Sequence, residues 1–197
     1  MRLAVLVAAA TLLAACPGTA QAAPAGPTVV LHDGPGDVWT FSNVTIGYLP
    51  ATQPAADVLR ARVTHGSLAV SVRLVFDDLQ RVDTQWYYCD IHTPGLTSRF
   101  VVEAEKGLWR GRALQQIDGE WVRVPGLSHH IDYGSDVLTL RVPRSLLGGP
   151  PWVRVRLRNE LGLSDHNTFF TDNPTTAGPT PEFTARLRQA AAPATGA

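Results

Sequence analysis

The sequence predicts an all-β protein, an antiparallel β-sandwich of the jelly-roll type with a short C-terminal helix. Three observations favour this class. Apolar and polar residues alternate over many short segments, turn residues separate these segments, and no long segment among them has the periodicity of an amphipathic helix. The 197 residues are 45% hydrophobic, which is enough to form a core. We expect one sandwich domain at residues 28–176 and a C-terminal segment at 177–197.

The clearest predicted strands form a hairpin. Leu59, Ala61 and Val63 alternate with polar residues, the link 65–67 follows, and the alternation resumes over 68–76. Because successive side chains of a strand point to opposite faces, one face of this hairpin is expected in the core. The other face carries arginines and is expected in solvent.

Six further strands and two short helices follow. Turn residues such as Thr93-Pro94-Gly95 separate the segments. The predicted strands are 85–92, 99–105, 109–114, 120–124, 137–142 and 152–158. A single helical turn is predicted at 143–147. The C-terminal helix is predicted at 182–191, with Thr180 as its cap and Pro181 in its first turn.

The N-terminal segment has the features of an export signal. Arg2 precedes an apolar run of residues 3–15, which as a helix would cover about 20 Å, less than the ~30 Å of a membrane core. Small residues at Ala20 and Ala22 favour cleavage before Ala23. We therefore expect a signal peptide at 1–22, a flexible tether at 23–27 and a secreted, extracellular protein without a transmembrane span.

A second interpretation of this segment is a lipid anchor. Leu13-Ala14-Ala15-Cys16 matches the bacterial lipobox, in which the cysteine is lipidated and becomes the new N-terminus. Residues 17–27 would then form the tether. Pro17 directly after the cysteine disfavours lipidation. Both interpretations place the mature protein outside the cytoplasm.

Charge and cysteine content exclude several classes. The 17 basic and 17 acidic side chains leave no basic excess to neutralise phosphates, so we expect no nucleic-acid partner. Two cysteines exclude a disulfide-rich scaffold and a four-cysteine zinc site. Once Cys16 is removed or lipidated, Cys89 has no intramolecular partner. A buried thiol is favoured there over a catalytic thiolate, because His92 would point to the other face of the strand.

Catalytic motifs are missing from the sequence. It has no Gly-x-Ser-x-Gly elbow, phosphate loop, His-Glu-x-x-His or dinucleotide fingerprint. His–Asp pairs occur at Asp90 with His92, His130 with Asp132, and Asp165 with His166, and pairs from neighbouring strands could bind a metal. No three of these residues have a ligand spacing on one element, so a solvated outer face is the favoured interpretation.

Acidic loops offer a second place for a metal. Asp33 and Asp37 flank Gly34-Pro35-Gly36, and Asp77-Asp78 lies near Asp83, so oxygen-rich loops at one end of the sandwich could bind calcium. Asp and Gly are also the usual turn residues, and the pattern Asp-x-Asp-x-Asp-Gly does not occur. The sequence therefore predicts no cofactor and no metal ligand.

Aromatic residues are the strongest functional signal. Four alternate residues of one predicted strand would share a face, and two tryptophans lie in predicted neighbouring strands near arginines. Flat apolar rings with polar groups at their rim are what a sugar-binding surface needs. The alternative is that the tryptophans fill the core. The candidate ligand-binding residues are Trp86, Tyr88, Asp90, His92, Trp109 and Trp121.

Several segments resemble a group of uncharacterised secreted actinobacterial β-sandwich proteins. The resemblance is clearest at GLWRG (107–111), GLSHHIDY (126–133) and DVLTLRVPR (136–144), and it covers nearly all of the mature chain. It implies a secreted sandwich that is similar in strand pattern to carbohydrate-binding modules. It implies no particular activity and no functional residues.

These observations favour a secreted, non-enzymatic protein that binds extracellular or envelope glycans. One alternative is a cell-surface protein-interaction or structural domain that uses outward arginines. Those arginines are Arg60, Arg62, Arg154, Arg156 and Arg158. A less favoured alternative is a metal-dependent hydrolase that uses His130, Asp132 and a second carboxylate.

Overall fold

The computed structural model of the chain describes residues 26–42, 47–164, 167–176 and 178–189. Its strands form two antiparallel sheets, which confirms the predicted β-sandwich. The expected signal peptide, Cys16 and the cleavage site before Ala23 lie outside the described residues, and so does the Asp165–His166 pair. None of the described helices is long and apolar enough to cross a membrane.

The smaller sheet has five strands in the order β1-β4-β5-β11-β10. Their bounds are β1 Thr28–His32, β4 Val58–His65, β5 Ala69–Phe76, β10 Ser128–Asp132 and β11 Val137–Pro143. The predicted helical turn is confirmed as a 3-10 turn over Arg144–Leu147, directly after β11.

The larger sheet has the order β3-β2-β13-β12-β6-β7-β8-β9, and β14 also pairs with β12. Its first four strands in sequence are β2 Val38–Ser42, β3 Leu49–Ala51, β6 Thr84–His92 and β7 Thr97–Ala104. The others are β8 Arg112–Ile117, β9 Glu120–Val122, β12 Trp152–Gly162, β13 Thr168–Asp172 and β14 Leu187–Arg188.

The core lies between the two sheets. Strand β6 sends Tyr87, Cys89 and Ile91 into it, each at most 2% exposed, where they meet β5 and β11 residues such as Phe76 and Leu140. Cys89 is therefore a buried thiol, as the alternation predicts, and burial raises its pKa. The intervening residues of β6 point away from the smaller sheet. We call that side of the larger sheet its outer face.

The predicted C-terminal helix is wrong, because residues 181–186 have no regular secondary structure and Leu187–Arg188 form β14, which pairs with β12. Strand β13 covers β12 only from Asn159 to Gly162, so the first half of that edge is left open. The C-terminal segment fills it: the Thr184 N–H donates to the Val155 carbonyl at 2.8 Å, and β14 pairs with Trp152 and Val153. Pairing with an open sheet edge outweighs the local helix signals of this segment.

The predicted hairpin is confirmed with shifted ends. His65 is fully buried at the end of β4, so the link begins at Gly66. The His65 Nδ1–H donates to the Leu187 carbonyl at 3.0 Å, which ties the smaller sheet to β14. Leu68, predicted to face the core, is 66% exposed because it lies in the link before β5 begins at Ala69. A bulge between Val58 and Arg60 interrupts the alternation, so Leu59, predicted to face the core, is only partly buried.

Candidate functional site

A groove of about 450 Å³ lies on the outer face of the larger sheet. It crosses strands β6 to β8 and reaches the segment around β9. The residues that line it are Trp86, Tyr88, Val101, Glu103, Arg112, Leu114, Trp121 and Arg123. Three of the six predicted ligand-binding residues, Trp86, Tyr88 and Trp121, are therefore brought together.

The groove has an apolar floor. Val101 and Leu114 point away from the core between the sheets, yet they are only 2% and 8% exposed. The larger side chains around them, including Tyr88 and Trp121, bury them from the outer side. The Tyr88 and Trp121 ring centroids are 6.2 Å apart. The outer face thus has a small apolar cluster of its own, which orients these two rings.

Further aromatic rings continue from Trp86 across the sheet. Phe169 of β13 is 6.4 Å from Trp86 between ring centroids, and Phe41 of β2 stacks on Phe169 at 5.1 Å. Tyr48, just before β3, packs edge-on against Phe41 at 5.3 Å. We call this set of six the aromatic row: Tyr48, Phe41, Phe169, Trp86, Tyr88 and Trp121.

Gly162 makes the contact between Trp86 and Phe169 possible. A Cβ atom at Gly162 would lie 2.9 Å from Trp86 Cζ3 and 3.1 Å from Phe169 Cε1, both closer than ordinary packing. Only a residue without a side chain leaves room for both rings. The end of β12 therefore fixes the position of the indole at the edge of the groove.

Charged side chains of both signs surround the rings. The Arg112 Nε–H donates to Glu103 Oε2 at 2.8 Å, and Arg158 Nη1 lies 3.2 Å from Glu160 Oε1. Arg158 also lies over the Tyr88 ring, 4.7 Å from its centroid. These pairs hold donors and acceptors in fixed positions beside the apolar floor.

Glu160 and Tyr88 influence one another. Burial raises the pKa of Glu160, and Arg158 and the Tyr88 hydroxyl partly oppose that rise. Burial and the neighbouring Glu160 raise the pKa of Tyr88 to about 12, so its phenol is protonated at neutral pH. The Tyr88 hydroxyl is therefore a hydrogen-bond donor beside the groove.

Asp90 and His92 lie on the same face, but not in the groove. Asp90 is 6% exposed and accepts hydrogen bonds from Arg99 and Arg156, each 3.0 Å from Nε. His92 lies between Trp152 and Phe183, with ring centroids 5.7 and 5.8 Å away. Both side chains thus fix the sheet and the C-terminal segment beside the groove.

Trp109 is separate from the other candidates. It lies in the turn before β8, which begins at Arg112, whereas the sequence predicts a strand from residue 109. Gly111, at φ 75°, ends this turn. The Trp109 ring packs edge-on against Tyr133 at 6.5 Å, in a hollow that His129 also lines. The expectation that Trp109 and Trp121 lie in neighbouring strands is wrong.

The outward arginines do not form one surface. Arg60 and Arg62 lie on the smaller sheet, whereas Arg154, Arg156 and Arg158 lie on the outer face of the larger sheet. The second set is already engaged, since Arg154 donates to the Thr184 carbonyl at 2.9 Å and the other two pair with carboxylates.

The His130–Asp132 pair does not belong to a metal-ligand group in the described part of the chain. Asp132 accepts hydrogen bonds from the Gly134 N–H at 3.0 Å and the Ser135 hydroxyl at 2.7 Å, and these bonds lower its pKa. Both carboxylate oxygens thus stabilise the turn after β10. The one described group of three convergent metal-ligating residues lies elsewhere, at Asp33, Asp37 and Asp172.

Sequence reasoning missed Glu103, Glu160, Phe41 and Phe169. The two glutamates are ordinary polar residues of alternating strands, and only the register places them on either side of Trp86. The two phenylalanines lie in five-residue strands, β2 and β13, whose alternation is too short to stand out. The alternating aromatic residues Trp39 and Phe41 were the signal in the sequence that could have indicated an aromatic strand at β2.

Comparisons of the chain with family models, with curated proteins and with solved structures give no significant match.

Proposed function

We propose that this is an exported, non-enzymatic protein that binds an extracellular or envelope glycan on the outer face of the larger sheet. The observation that carries the proposal is the aromatic row beside a groove with an apolar floor and a rim of arginines and glutamates. The export signal expected from the sequence supports the extracellular setting.

The chemistry of the groove suits a sugar chain. The C–H faces of a pyranose pack on flat aromatic rings, and its hydroxyl groups need both donors and acceptors. Trp86, Tyr88 and Trp121 supply rings, while Arg112 and Glu103 supply a donor and an acceptor within 2.8 Å of each other. The groove volume of about 450 Å³ is within the roughly 300–1,000 Å³ typical of small-ligand sites.

The same features argue against other ligands. Single-stranded nucleic acids also stack on aromatic rings, but they need a positive groove along the backbone. Here Glu103 and Glu160 offset the arginines, and the whole chain has no net charge. A mixed rim of this kind favours a neutral, polyhydroxylated ligand.

The direct test is a screen of soluble oligosaccharides by isothermal titration calorimetry. We expect one glycan class to bind the wild type, and Trp121→Ala to weaken that binding about tenfold or more, which corresponds to about 1.4 kcal/mol. Trp109→Ala is the matched control, because its ring lies in a different hollow. Absence of binding across α- and β-glucans, xylans, chitin fragments and peptidoglycan fragments would overturn the proposal, as would equal losses in both variants.

A second candidate function is hydrolysis of the same glycan. Glu160 and Glu103 flank Trp86 on the two neighbouring strands, which places their Cα atoms about 10 Å apart. Burial raises the pKa of Glu160, as a general acid requires, while Glu103 accepts a hydrogen bond from the Arg112 Nε–H at 2.8 Å. Inverting glycosidases separate such carboxyl groups by roughly 6.5–9.5 Å.

An assay for reducing ends separates the two functions. The binding protein leaves the oligosaccharide intact during prolonged incubation. Release of reducing ends by the wild type but not by Glu160→Gln would replace the binding proposal with the hydrolase. Arg123→Gln, at an exposed position of the groove edge, serves as the control for nonspecific effects on the rim.

A further inference from the structure

Three aspartates converge at one end of the sandwich, and a fourth, Asp57, lies against the loop that carries two of them. Asp33 and Asp37 lie in the loop between β1 and β2, Asp57 precedes β4, and Asp172 ends β13. Carboxylate oxygens of Asp33, Asp37 and Asp172 all lie within 4.8 Å of one another. The sequence analysis favoured turn roles for Asp33 and Asp37 and predicted no metal ligand, and it did not single out Asp57 or Asp172.

Asp57 completes the cluster with a buried oxygen that has no partner. Its side chain is 3% exposed, and its Oδ2 accepts the Gly36 N–H, within the Asp33–Asp37 loop, at 2.6 Å. Its Oδ1 is buried without a hydrogen bond, and so are Asp33 Oδ2 and Asp37 Oδ1. The bond to Gly36 places the Asp57 carboxylate against the loop that carries Asp33 and Asp37.

A neutral oxygen lies next to this cluster. Asn159, 1% exposed, is directly opposite Asp172 in the register of β12 and β13. Its Nδ2 donates to the Ala56 carbonyl at 2.8 Å, and this bond turns the amide so that Oδ1 is left buried and unpartnered. An unsatisfied acceptor beside four carboxylates needs a cationic or donor partner.

The cluster has no basic counterpart among the described residues. In the described part of the chain, the acidic partners of the ion pairs are Asp90, Glu103 and Glu160. None of the four aspartates forms an ion pair there. Asp172 accepts hydrogen bonds from the Val58 N–H at 2.6 Å and the Asn173 N–H at 2.7 Å, but these neutral donors supply no positive charge to balance the neighbouring carboxylates. A cation would supply that charge.

We propose that Asp33, Asp37 and Asp172 bind one Ca²⁺ ion, beside the buried and unpartnered oxygens of Asp57 and Asn159. All their donors are oxygens, which hard divalent cations prefer. The donor groups are crowded and largely buried, which suits Ca²⁺ with its irregular shell of six to eight oxygens. Mg²⁺ instead needs near-octahedral geometry and usually keeps several waters.

The ion would join the two sheets. Asp33 follows β1 of the smaller sheet and Asp57 precedes β4, whereas Asp37 precedes β2 and Asp172 ends β13 of the larger sheet. Joining the Asp33–Asp37 loop to the end of β13 would stabilise the folded state increasingly as the concentration of free Ca²⁺ rises above the Kd of the site. Strands β2 and β13 also carry Phe41 and Phe169 of the aromatic row, although the metal proposal does not depend on glycan binding.

The test uses the full chain, treated with EDTA and then dialysed. We expect isothermal titration with CaCl₂ to show one saturable site and 2 mM CaCl₂ to raise the Tm by several degrees, reversibly on adding EDTA. Asp37→Asn, at a half-exposed position, is expected to abolish both effects. Asp118→Asn, an exposed turn residue, is the matched control and should retain them.

The response of the wild type to Ca²⁺ is itself a test of the proposal, so the test does not depend on the folding of any variant. Absence of binding heat and of any Tm shift in the wild type would overturn it, even if the variants misfold. A Ca²⁺ response of wild-type size in Asp37→Asn, or loss of the response in Asp118→Asn, would also overturn it. Equal stabilisation by MgCl₂ at the same concentration would overturn the assignment of Ca²⁺.

Discussion

Substitution of Thr184 by valine tests how the C-terminal segment is bound to the sheet. The Thr184 hydroxyl accepts the Val155 N–H at 3.0 Å and donates to the Ala185 carbonyl at 3.0 Å, at a position only 8% exposed. Valine keeps the shape of the side chain but removes both hydrogen bonds. The buried Val155 N–H then has no partner, which costs about 1–3 kcal/mol.

Thr184→Ser is the matched control. Serine keeps both hydrogen bonds and loses one methyl group, worth about 0.8 kcal/mol when fully buried. Urea denaturation followed by tryptophan fluorescence gives the free energy of unfolding of each variant. We expect Thr184→Val to be the less stable of the two. If it is as stable as the wild type, or more stable than Thr184→Ser, the pairing of this segment with β12 is refuted.

Three further predictions concern the groove and the core. Gly162→Ala should displace the Trp86 ring, changing the near-UV circular dichroism and weakening glycan binding, and an unchanged spectrum would contradict the packing. Burial lowers the pKa of His65, so its contribution to stability is full above about pH 6.5 and is lost as the pH falls. Between pH 7.5 and 5.5 the wild type should therefore lose more stability than His65→Gln, by up to about 1.4 kcal/mol per pH unit in urea denaturation, and parallel losses would contradict this. Cys89 should resist iodoacetamide in the native protein and react in guanidinium, and rapid native labelling seen by mass spectrometry would contradict its burial.

The alternation of residues predicts the sandwich and the face that each β6 residue occupies. Tyr87, Cys89 and Ile91 lie in the core, and Trp86 and Tyr88 lie on the outer face. Period-two patterns succeed here because β6 is nine residues long and buried on one side. The pattern left open whether the tryptophans fill the core, and the structure shows Trp86 and Tyr88 half-buried on the outer face.

The parts that the sequence does not predict depend on contacts between distant segments. The C-terminal segment has the local signals of a helix, but the open edge of β12 provides partners for an extended chain. The aspartate cluster assembles residues from 33 to 172, so no local spacing reveals it. The groove likewise depends on register, which brings Glu103 and Glu160 to opposite sides of Trp86.

The location of glycan binding is tested most directly by NMR of the tryptophan indole N–H groups. A ¹⁵N-labelled sample is titrated with the oligosaccharide found by calorimetry, and the indole signals are assigned by substitution. We expect progressive shifts for Trp86 and Trp121 and an unchanged signal for Trp109, which lies in a different hollow. Shifts confined to Trp109, or the absence of shifts at Trp86 and Trp121 at saturation, would contradict it.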